Sequence, residues 1–505
     1  MPAPRISRRQ FLQGCSAAIA SMAGARLTNL AFAKQDNPSD TLVVVFLRGG
    51  WDALNVVPPL QGDDRGFYEK ARPDIKISNL LSLNDQFGLH PALAPLHELY
   101  QAGKMGVVHA VGLNHDTRSH FDAQEYIELG TPGSKNTTSG WITRHLQETG
   151  VSSILPVVST TGQPTSLLNF VPTVNVSTPE DFSQWGNDLI GSQQTALRQM
   201  YQGETLLHRA GLRTLDALDI VSPLVSQEYQ PANGAFYNDD EFGQQLKTIA
   251  RMIKLDAGMR VAAVDFGGWD THEYETDGNG GYIGDLLGQL ASGLSNFYLD
   301  LDSGYTNKLS VVVISEFGRR PYENGSRGSD HGAASVQFVF GTQVNSGVFG
   351  DPPDLKNLNA NGDLQYQIDY RAVYAEILTD WFGLTMPEMR TVLQDDTVIP
   401  LDILQAQKSG TDRRAEYAER SFSIAGAYPN PFRGTTTLEI SLDRTANVQL
   451  DVTTMAGQRV ATLLNRQMTP GSYRIPLSES LPAGTYLCTL RDGQRMATQV
   501  VQCVR

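Results

Sequence analysis

The sequence has few cysteines, no surplus of positive charge and no long apolar run. Three cysteines in 505 residues are too few for a disulfide scaffold or for a zinc domain built on thiolates. A formal net charge of −14 argues against a nucleic-acid-binding protein, because contacts to phosphates need an excess of Lys and Arg. No run approaches the roughly 20 apolar residues of a membrane-spanning helix, so no transmembrane helix is expected. With 40% hydrophobic and 19% charged residues, the composition instead predicts a folded protein with a sizeable core.

Residues 1–33 are predicted to be an export signal. An arginine pair, Arg8-Arg9, precedes a mildly apolar segment that ends in Ala31-Phe32-Ala33, which is typical of a cleavage site. This order resembles the twin-arginine signal and implies the twin-arginine translocase as a partner. A solvated basic N-terminus is the alternative. Because the twin-arginine route carries folded proteins, often with a cofactor loaded, the signal suggests a metal or cofactor acquired inside the cell.

The last part of the chain predicts a separate domain. Lysine is absent after Lys408, and short alternating stretches are separated by turn residues. Strands at this spacing favour a small antiparallel β-sandwich over residues 425–505, after a linker at 405–424. The predicted strands are Thr436–Leu442, Ala446–Val452, Gln458–Leu464, Gly471–Ile475, Gly484–Arg491 and Gln494–Val504.

This C-terminal segment resembles the sorting domain of type IX secretion cargo. The resemblance rests on 428–432 (Tyr-Pro-Asn-Pro-Phe), on the strands that follow and on Gly484-Thr485-Tyr486. It implies the type IX secretion machinery as a partner. It also implies an exported protein that passes the periplasm and is then secreted or attached to the outer surface. An ordinary adhesive or spacer sandwich is the alternative.

Two cysteines, Cys488 and Cys503, lie in the predicted sandwich. If Asp492-Gly493 forms a two-residue hairpin turn, Cys488 pairs with Ala497. The offset from Ala497 to Cys503 is then about 20 Å at ~3.3 Å per residue. A disulfide needs Cα atoms within about 7 Å, so we predict two unpaired, buried thiols.

Residues 40–404 predict an α/β domain with a doubly wound, mostly parallel sheet. Five apolar runs rich in β-branched residues suit strands buried on both faces, and helical patterns at 242–253 and 283–297 alternate with them. Residues 160–240 are polar and irregular and predict an insertion or cap. The five runs are Thr41–Leu47, Met105–Val111, Arg260–Phe266, Leu309–Ile314 and Val336–Phe340.

Ionisable and glycine-rich motifs follow four of these runs. They are found at 49–52, 118–120, 270–272, 316–319 and 330–331. Because the carboxyl ends of parallel strands form one crevice in which ligands bind, we expect these side chains to share a site. Carboxylate and imidazole ligands without thiolates suit zinc, manganese, magnesium or calcium, so a divalent metal is predicted. The candidate ligands are Asp52, Asp270, His272, Asp330 and His331.

Ser119 is predicted at the point where a loop enters a helix. Its hydroxyl either caps that helix or acts as a metal-activated nucleophile at a helix N-terminus that also stabilises anions. The neighbouring His120 is a further candidate catalytic residue, and Glu316 is a candidate general base or additional ligand. An arginine would hold an anionic substrate group, with surface solvation as the alternative role. The candidate substrate-binding residues are Arg118, Arg319 and Asn55.

Five motifs, in this order along the chain, resemble the domain-of-unknown-function family 1501. That family is grouped with the alkaline phosphatase and sulfatase superfamily, and the resemblance spans roughly residues 40–400. The motifs are Leu47–Asn55, Arg118–Phe121, Gly267–His272, Glu316–Arg319 and Asp330–Gly332.

The resemblance implies an alkaline-phosphatase-like fold with one metal site and half of a second. Their ligands would be Asp52, Asp330 and His331 for the first site, and Asp270 and His272 for the second. Ser119 falls near the nucleophile position of the superfamily. No histidine follows His331, so Glu316, another carboxylate or water completes the second site, or the protein keeps one metal, as sulfatases do.

The sequence therefore predicts an exported, metal-dependent hydrolase of small phosphate or sulfate esters. A sulfatase motif of the form Cys/Ser-x-Pro-x-Arg is absent around Ser119, so the ester class stays open. One alternative is a non-catalytic secreted or surface binding protein that retains the fold. Another is a cell-surface structural module, which rests on the C-terminal domain alone.

Overall fold

The computed structural model describes most of the chain from residue 40 onward. The predicted signal peptide and most of the predicted linker lie outside the described residues. These are 40–150, 153, 155–169, 173–176, 191–225, 228–255, 258–278, 280–302, 304–350, 354–405, 422–428, 430–442, 446–455, 457–468, 471–477 and 481–504.

The described residues form alternating strands and helices, followed by strands alone. The strands are β1 (Thr41–Leu47), β2 (Leu81–Ser82), β3 (Gly88–Leu89), β4 (Met105–Gly112), β5 (Val157–Ser159), β6 (Thr173–Asn175), β7 (Val261–Phe266), β8 (Leu309–Ser315), β9 (Arg319–Glu323), β10 (Ser329–His331), β11 (Ser335–Gly341), β12 (Gly347–Phe349), β13 (Ile368–Asp369), β14 (Ser423–Tyr428), β15 (Thr436–Leu442), β16 (Ala446–Thr454), β17 (Arg459–Met468), β18 (Gly471–Leu477), β19 (Gly484–Arg491) and β20 (Met496–Cys503). The α-helices are α1 (Ala53–Val56), α2 (Gly62–Ala71), α3 (Ala94–Gln101), α4 (His120–Leu129), α5 (Trp141–Thr149), α6 (Gly191–Met200), α7 (Leu206–Val225), α8 (Glu241–Lys254), α9 (Gly281–Asp300), α10 (Arg371–Glu376) and α11 (Met386–Leu393).

A nine-stranded sheet runs in the order β12-β4-β11-β8-β1-β7-β5-β6, with β13 beside β4. The five predicted strands are confirmed as β1, β4, β7, β8 and β11, each within one residue of its predicted ends. Apart from Asp265 in β7 they are buried along their whole length. This burial explains their unbroken apolar sequences, and the predicted α/β class with a mostly parallel sheet is confirmed.

β11 departs from the parallel arrangement that its apolar sequence predicted. It pairs antiparallel with β4, so that Ser335 lies opposite Val111 and Phe340 opposite Met105. Burial on both faces gives the same sequence pattern in either direction, and the pattern therefore cannot set the direction of a strand. Because β11 starts where β4 ends, the segment just before β11 comes close to the segment that follows β4.

The contacts divide the chain into two compact units. Of the described residues, the first unit holds those from 40 to 46, from 136 to 266 and from 289 to 311, and the second holds the others. β5, β6, β7 and helices α5–α8 belong to the first unit. All the site residues predicted from the sequence belong to the second unit. The predicted cap at 160–240 stays a prediction.

The C-terminal strands form the predicted antiparallel β region. One sheet has the order β14-β15-β18 and the other β17-β16-β19-β20. Side chains from both sheets, such as Leu438 and Leu450, share one apolar core, as in a β-sandwich. The predicted bounds of β15 and β19 are correct, whereas β14 was not predicted.

The hairpin between β19 and β20 has a longer turn than predicted. Arg491 pairs with Met496, so four residues separate the strands instead of two. The Asp492 carboxylate accepts hydrogen bonds from the backbone N–H groups of Gln494 and Arg495, at 3.0 and 2.7 Å, and closes the wider turn. The predicted two-residue turn is therefore wrong.

This longer turn changes the partner of Cys488 but not the state of the thiols. Cys488 lies opposite Gln499 instead of Ala497, and Cys503 lies opposite Gly484. Both cysteines are free and buried, so the prediction of two unpaired thiols is confirmed. No helix among the described residues combines the length and apolar character that crossing a membrane requires.

Candidate metal centre

Three imidazoles and one carboxylate bring their donor atoms together in the second unit, where His331 Nε2 and Asp270 Oδ1 each lie close to His120 and His272. His331 Nε2 lies 3.0 Å from His120 Nε2 and 2.9 Å from His272 Nε2. Asp270 Oδ1 lies 3.2 Å from His331 Nε2, 3.4 Å from His120 Nε2 and 3.1 Å from His272 Nε2. Ligands bound tetrahedrally at about 2.0–2.1 Å would be separated by about 3.3 Å, which is close to these distances. We call His120, Asp270, His272 and His331 the donor cluster.

The second ring nitrogen of two of these histidines is held by an acceptor. His120 Nδ1 lies 2.7 Å from Glu316 Oε1, and His331 Nδ1 lies 2.8 Å from the carbonyl oxygen of Arg118. An imidazole that donates from Nδ1 carries a lone pair at Nε2. Two lone pairs 3.0 Å apart repel each other unless a proton or a cation lies between them. The donor set therefore fits a divalent metal, and the acceptors behind it fix the tautomers.

His272 follows the same pattern at a more exposed position. Its Nδ1 lies 3.2 Å from Asp330 Oδ1, which also accepts a hydrogen bond from Asn324 Nδ2 at 3.1 Å. Hydrogen bonds from Asn324 and His272 lower the pKa of Asp330. Asp330 thus lies behind His272, as a carboxylate that orients the ring, and its predicted role as a metal ligand stays a prediction.

Glu316 is a buried carboxylate surrounded by donors. Besides His120, its Oε1 accepts hydrogen bonds from the Gly49 N–H at 2.9 Å and from Gln124 Nε2 at 2.8 Å, and its Oε2 accepts one from Ser315 Oγ at 3.0 Å. Burial favours the neutral acid, but the hydrogen bonds from His120 and Gln124 lower the pKa of Glu316. The hydrogen bond to Glu316 raises the pKa of His120 in turn. Glu316 thus lies behind His120, and its predicted role as general base or ligand stays a prediction.

Arg319 is fully buried and holds Asp270 in place. Its Nη2 donates to Asp270 Oδ1 at 2.7 Å, its Nε to the Gly50 carbonyl at 2.6 Å and its Nη1 to the Ser329 carbonyl at 2.9 Å. Burial opposes ionisation of Asp270, yet Arg319 lowers the pKa of this carboxyl to about 2. In the structure Arg319 donates hydrogen bonds to oxygen atoms of the protein, and the predicted contact of Arg319 with substrate stays a prediction.

Asp52 and Asn55 lie in a separate buried network. The Asp52 carboxylate pairs with the Arg72 guanidinium, with 3.1 Å between Oδ1 and Nη2. Asn55 Nδ2 donates to Glu275 Oε1 at 2.8 Å, and Glu275 Oε2 accepts from Ser329 Oγ at 2.6 Å. Burial opposes ionisation of Asp52, but the charge of Arg72 lowers the pKa of this carboxyl. Asp52 is therefore outside the donor cluster, and the predicted metal role of Asp52 and substrate role of Asn55 stay predictions.

Ser119 caps helix α4 immediately before His120. Its Oγ accepts a hydrogen bond from the Asp122 N–H at 3.4 Å, and α4 ends at Gly130 with a φ of 72°. The capping role that the sequence offered is therefore present, whereas the nucleophilic role stays a prediction.

Arg118 is partly exposed, and its Nη2 lies 2.5 Å from Asp363 Oδ2.

The two Gly-Gly-Trp-Asp motifs pack together beneath the donor cluster. Trp51 and Trp269 are buried and meet edge to face, with ring centroids 5.8 Å apart. Gly49 has a φ of 128°, and a Cβ there would lie 2.4 Å from the Asp270 nitrogen. Only glycine lets the loop after β1 approach the loop after β7 this closely.

Three members of the donor cluster were expected as metal ligands, but the fourth, His120, was expected only as a catalytic residue. The nitrogen or oxygen ligand atoms of His120, Asp270 and His331 all lie within 4.8 Å of one another. The available signal for His120 was its position as the first residue of a helix that follows a buried strand. Nothing in the sequence pointed to Arg72 or Glu275, whose partners lie far away along the chain.

Two family models match the chain. Residues 39–395 match the model described as "Protein of unknown function (DUF1501)", and residues 426–502 match the "Secretion system C-terminal sorting domain". The second match indicates export and surface attachment and implies the type IX secretion machinery. Among curated proteins, none matches the chain.

Solved structures give only distant likenesses. A protein in the alkaline phosphatase superfamily from Vibrio parahaemolyticus is 9% identical over 99% of this chain and 92% of its own, with a TM-score of 0.34. The lipoteichoic acid synthase LtaP from Listeria monocytogenes is 9% identical over 66% of this chain and 73% of its own, with a TM-score of 0.28. PorZ, a surface component of the type IX secretion system of Porphyromonas gingivalis, is 13% identical over 18% of this chain, with a TM-score of 0.14. The chain spans only 12% of the length of PorZ.

Proposed function

The chain belongs to the DUF1501 family of proteins of unknown function, and we propose that it is an exported, metal-dependent hydrolase of phosphate or sulfate esters. The observation that carries this proposal is the donor cluster, in which His120 and His272 both direct a ring nitrogen at His331 Nε2 and Asp270 Oδ1. Two of these imidazoles present Nε2 lone pairs only 3.0 Å apart, an arrangement that a cation stabilises.

The four side chains of the donor cluster would hold the metal. A divalent cation bound there would supply Lewis acidity to an ester oxygen and to a hydroxyl or water. The residues behind the cluster keep it ready to bind. Glu316 and the Arg118 carbonyl keep the protons of His120 and His331 on Nδ1, and Arg319 keeps Asp270 oriented.

Ser119 is the proposed nucleophile. Its Oγ would lose its proton and form a bond to phosphorus or sulfur while the ester oxygen leaves with its electron pair and takes up a proton. Water would then attack the same atom, lose a proton and displace the serine oxygen, which regains its own. An alcohol and inorganic phosphate or sulfate are the products. The Ser119 hydroxyl lies at the N-terminus of α4, which favours an anionic substrate beside it.

Export would follow two steps. The arginine pair at 8–9 supports the twin-arginine translocase as the route into the periplasm, and the sorting domain at 426–502 supports the type IX machinery as the route onward. A protein that is folded before export could acquire its metal inside the cell.

The test combines metal analysis with turnover. We expect purified protein to hold about one zinc, manganese, magnesium or calcium ion per chain, and His331→Ala to lose it, because the His331 nitrogen contacts every other donor. His97→Ala is the matched control, since His97 lies outside the donor cluster and its Nε2 bonds the Ser82 carbonyl at 2.8 Å. The metal-loaded protein would then be assayed against aryl phosphates, phosphodiesters and aryl sulfates.

Two results would overturn the proposal. Folded protein that binds none of these ions would exclude a metal enzyme. Stoichiometric metal without turnover of any ester would favour the alternative, a secreted or surface binding protein that retains the fold.

A further inference from the structure

Two arginines, on segments that contact His331 of the donor cluster, share one buried carboxylate. Arg118 Nη2 lies 2.5 Å from Asp363 Oδ2, and Arg320 Nε lies 3.3 Å from Asp363 Oδ1. The Asp363 side chain is 3% exposed, whereas those of Arg118 and Arg320 are 34% and 35% exposed. One buried carboxylate thus holds two guanidinium groups at the surface, and the three groups together carry one net positive charge.

Both guanidinium groups keep hydrogen-bond donors that the protein does not use. Among the described residues, Nε and Nη1 of Arg118 and Nη1 of Arg320 have no acceptor, since Arg320 donates otherwise only to the Asn361 carbonyl, at 2.8 Å. A guanidinium fork of this kind matches the oxygens of phosphate, sulfate or carboxylate. These unused N–H groups are held in position by a buried carboxylate and can donate hydrogen bonds to an anion from the solvent.

The loop that carries Asp363 is held by its own hydrogen bonds. The Asn359 side-chain oxygen accepts the N–H groups of Asn361 and Asp363, each at 2.9 Å. The carboxylate that bridges the two arginines therefore has a defined position before any ligand arrives, which lowers the entropy lost on binding.

Both arginines lie on segments that contact His331 of the donor cluster. The Arg118 carbonyl accepts the hydrogen bond from His331 Nδ1, and Arg118 directly precedes the proposed nucleophile. Arg320 follows Arg319, which lies opposite His331 in the pairing of β9 with β10. Because side chains alternate along a strand, Arg320 lies on the exposed face of β9 opposite Arg319, where Asp363 joins it to Arg118.

We propose that Arg118 and Arg320 form a second anion site next to the donor cluster, so that the substrate carries another phosphate or sulfate group besides the ester that is cleaved. The proposal rests on the proposed function for the identity of the cleaved group. A substrate with a single anionic group would leave this bridged pair of arginines without a ligand.

Equilibrium binding tests this proposal without relying on turnover. The metal-loaded full chain with Ser119→Ala would be titrated in a calorimeter with fructose 6-phosphate and fructose 1,6-bisphosphate. Glucosamine 6-sulfate and glucosamine N,6-disulfate form the second pair. We expect the ligand with two anionic groups to bind roughly tenfold more tightly than its partner with one in one of the two pairs, which also tells phosphate from sulfate.

Arg320→Gln should reduce that difference in affinity to about twofold or less, while the ligand with one anionic group binds as before. Arg320→Lys keeps the charge but loses the fork, and should retain part of the difference. Arg459→Gln in β17 removes a charge from a side chain that is 61% exposed, and should retain all of it. Equal affinities within both pairs, or a full difference in Arg320→Gln, would overturn the second anion site. Metal content and turnover of the unmutated protein, measured separately, decide the proposed function.

Discussion

The region around the donor cluster and the C-terminal sandwich are stabilised in different ways. Next to the donor cluster the protein fully buries charged side chains such as Asp52, Arg72 and Arg319, each paired with an opposite charge. The core cluster of the sandwich consists of apolar side chains and two cysteines. Buried carboxylates in the described part of the sandwich are few and have polar partners, such as Asp451 with Thr462 at 2.7 Å and Asp492 with Arg495 at 2.8 Å. Buried ion pairs add little net stability but fix positions, whereas apolar burial adds stability without fixing chemistry. We therefore expect ligand binding and catalysis in the first region, and stabilisation by apolar packing in the second.

The largest expected effect tests whether the chemistry depends on Ser119. Ser119→Ala should lower turnover of any ester that the protein hydrolyses by about a thousandfold or more, because it removes the proposed nucleophile. Metal content should not change, since the Ser119 hydroxyl lies outside the donor cluster. Ser82→Ala, at an exposed position, is the control. Turnover that survives in Ser119→Ala would leave this residue with helix capping alone.

The next prediction concerns the stability of the two regions. Arg72→Met leaves the buried Asp52 carboxylate without its partner and should lower the free energy of unfolding by about 3–5 kcal/mol. The double variant Asp52→Asn with Arg72→Met should recover most of this loss, because no buried charge remains. Urea denaturation followed by tryptophan fluorescence reports on this region, since all 5 tryptophans precede the sandwich.

The matched change in the sandwich is Leu450→Ala. Truncating this fully buried side chain should lower the stability of the sandwich by about 2–5 kcal/mol and leave the tryptophan transition in place. If Arg72→Met and Leu450→Ala shift the tryptophan transition to lower urea by the same amount, the two regions unfold together and are not stabilised separately.

Acid should weaken the α/β region through buried histidines. Burial lowers the pKa of His109 to about 4, while the unfolded chain has a histidine pKa of about 6.5. The unfolded state therefore binds the proton first, and stability contributed by neutral His109 is lost as the pH falls from about 6.5 to about 4. His109→Gln keeps a donor for the Val57 carbonyl, 3.3 Å from Nε2, and does not titrate.

Denaturation at pH 7 and at about pH 4.5 measures this difference. The unmutated protein should lose about 2–3 kcal/mol more than His109→Gln over this interval. The sandwich contains no histidine, so no comparable loss is expected there. Equal losses in the two proteins would contradict the buried, neutral state of His109.

The same contrast explains what the sequence could predict. Strands such as β1 and β15 were predicted with correct bounds because burial on two faces or on one leaves a periodic apolar pattern. The residues of the donor cluster were all named, because ionisable groups that follow buried strands converge at one edge of a sheet. The sequence did not predict which candidates belong to the donor cluster and which pair with other side chains. The Asp52 carboxylate pairs with Arg72, 20 residues away, and the Asn55 amide donates to Glu275, 220 residues away. No local sequence motif predicts such pairings.

The smallest expected effect concerns the cysteines of the sandwich. Cys488 is fully buried, and burial raises its pKa to about 12, so its thiol stays protonated and unreactive at neutral pH. Cys503 is buried too and directs its Sγ at the Leu481 carbonyl, 3.5 Å away. A thiol reagent should therefore label the folded chain lacking residues 1–33 slowly, and the denatured, unreduced chain should show both thiols.

Because each thiol acts as a small apolar side chain, Cys488→Ala should cost only about 1 kcal/mol of sandwich stability, and Cys503→Ala less. Far-ultraviolet circular dichroism during denaturation measures this cost, since tryptophan fluorescence does not follow the sandwich. A denatured chain without free thiols would mean that the cysteines are joined, which the separation of their strand partners opposes: Gln499 for Cys488, and Gly484 for Cys503. Rapid labelling of Cys488 in the folded chain would instead show that the sandwich core opens, and the simple packing assigned to this region would not hold.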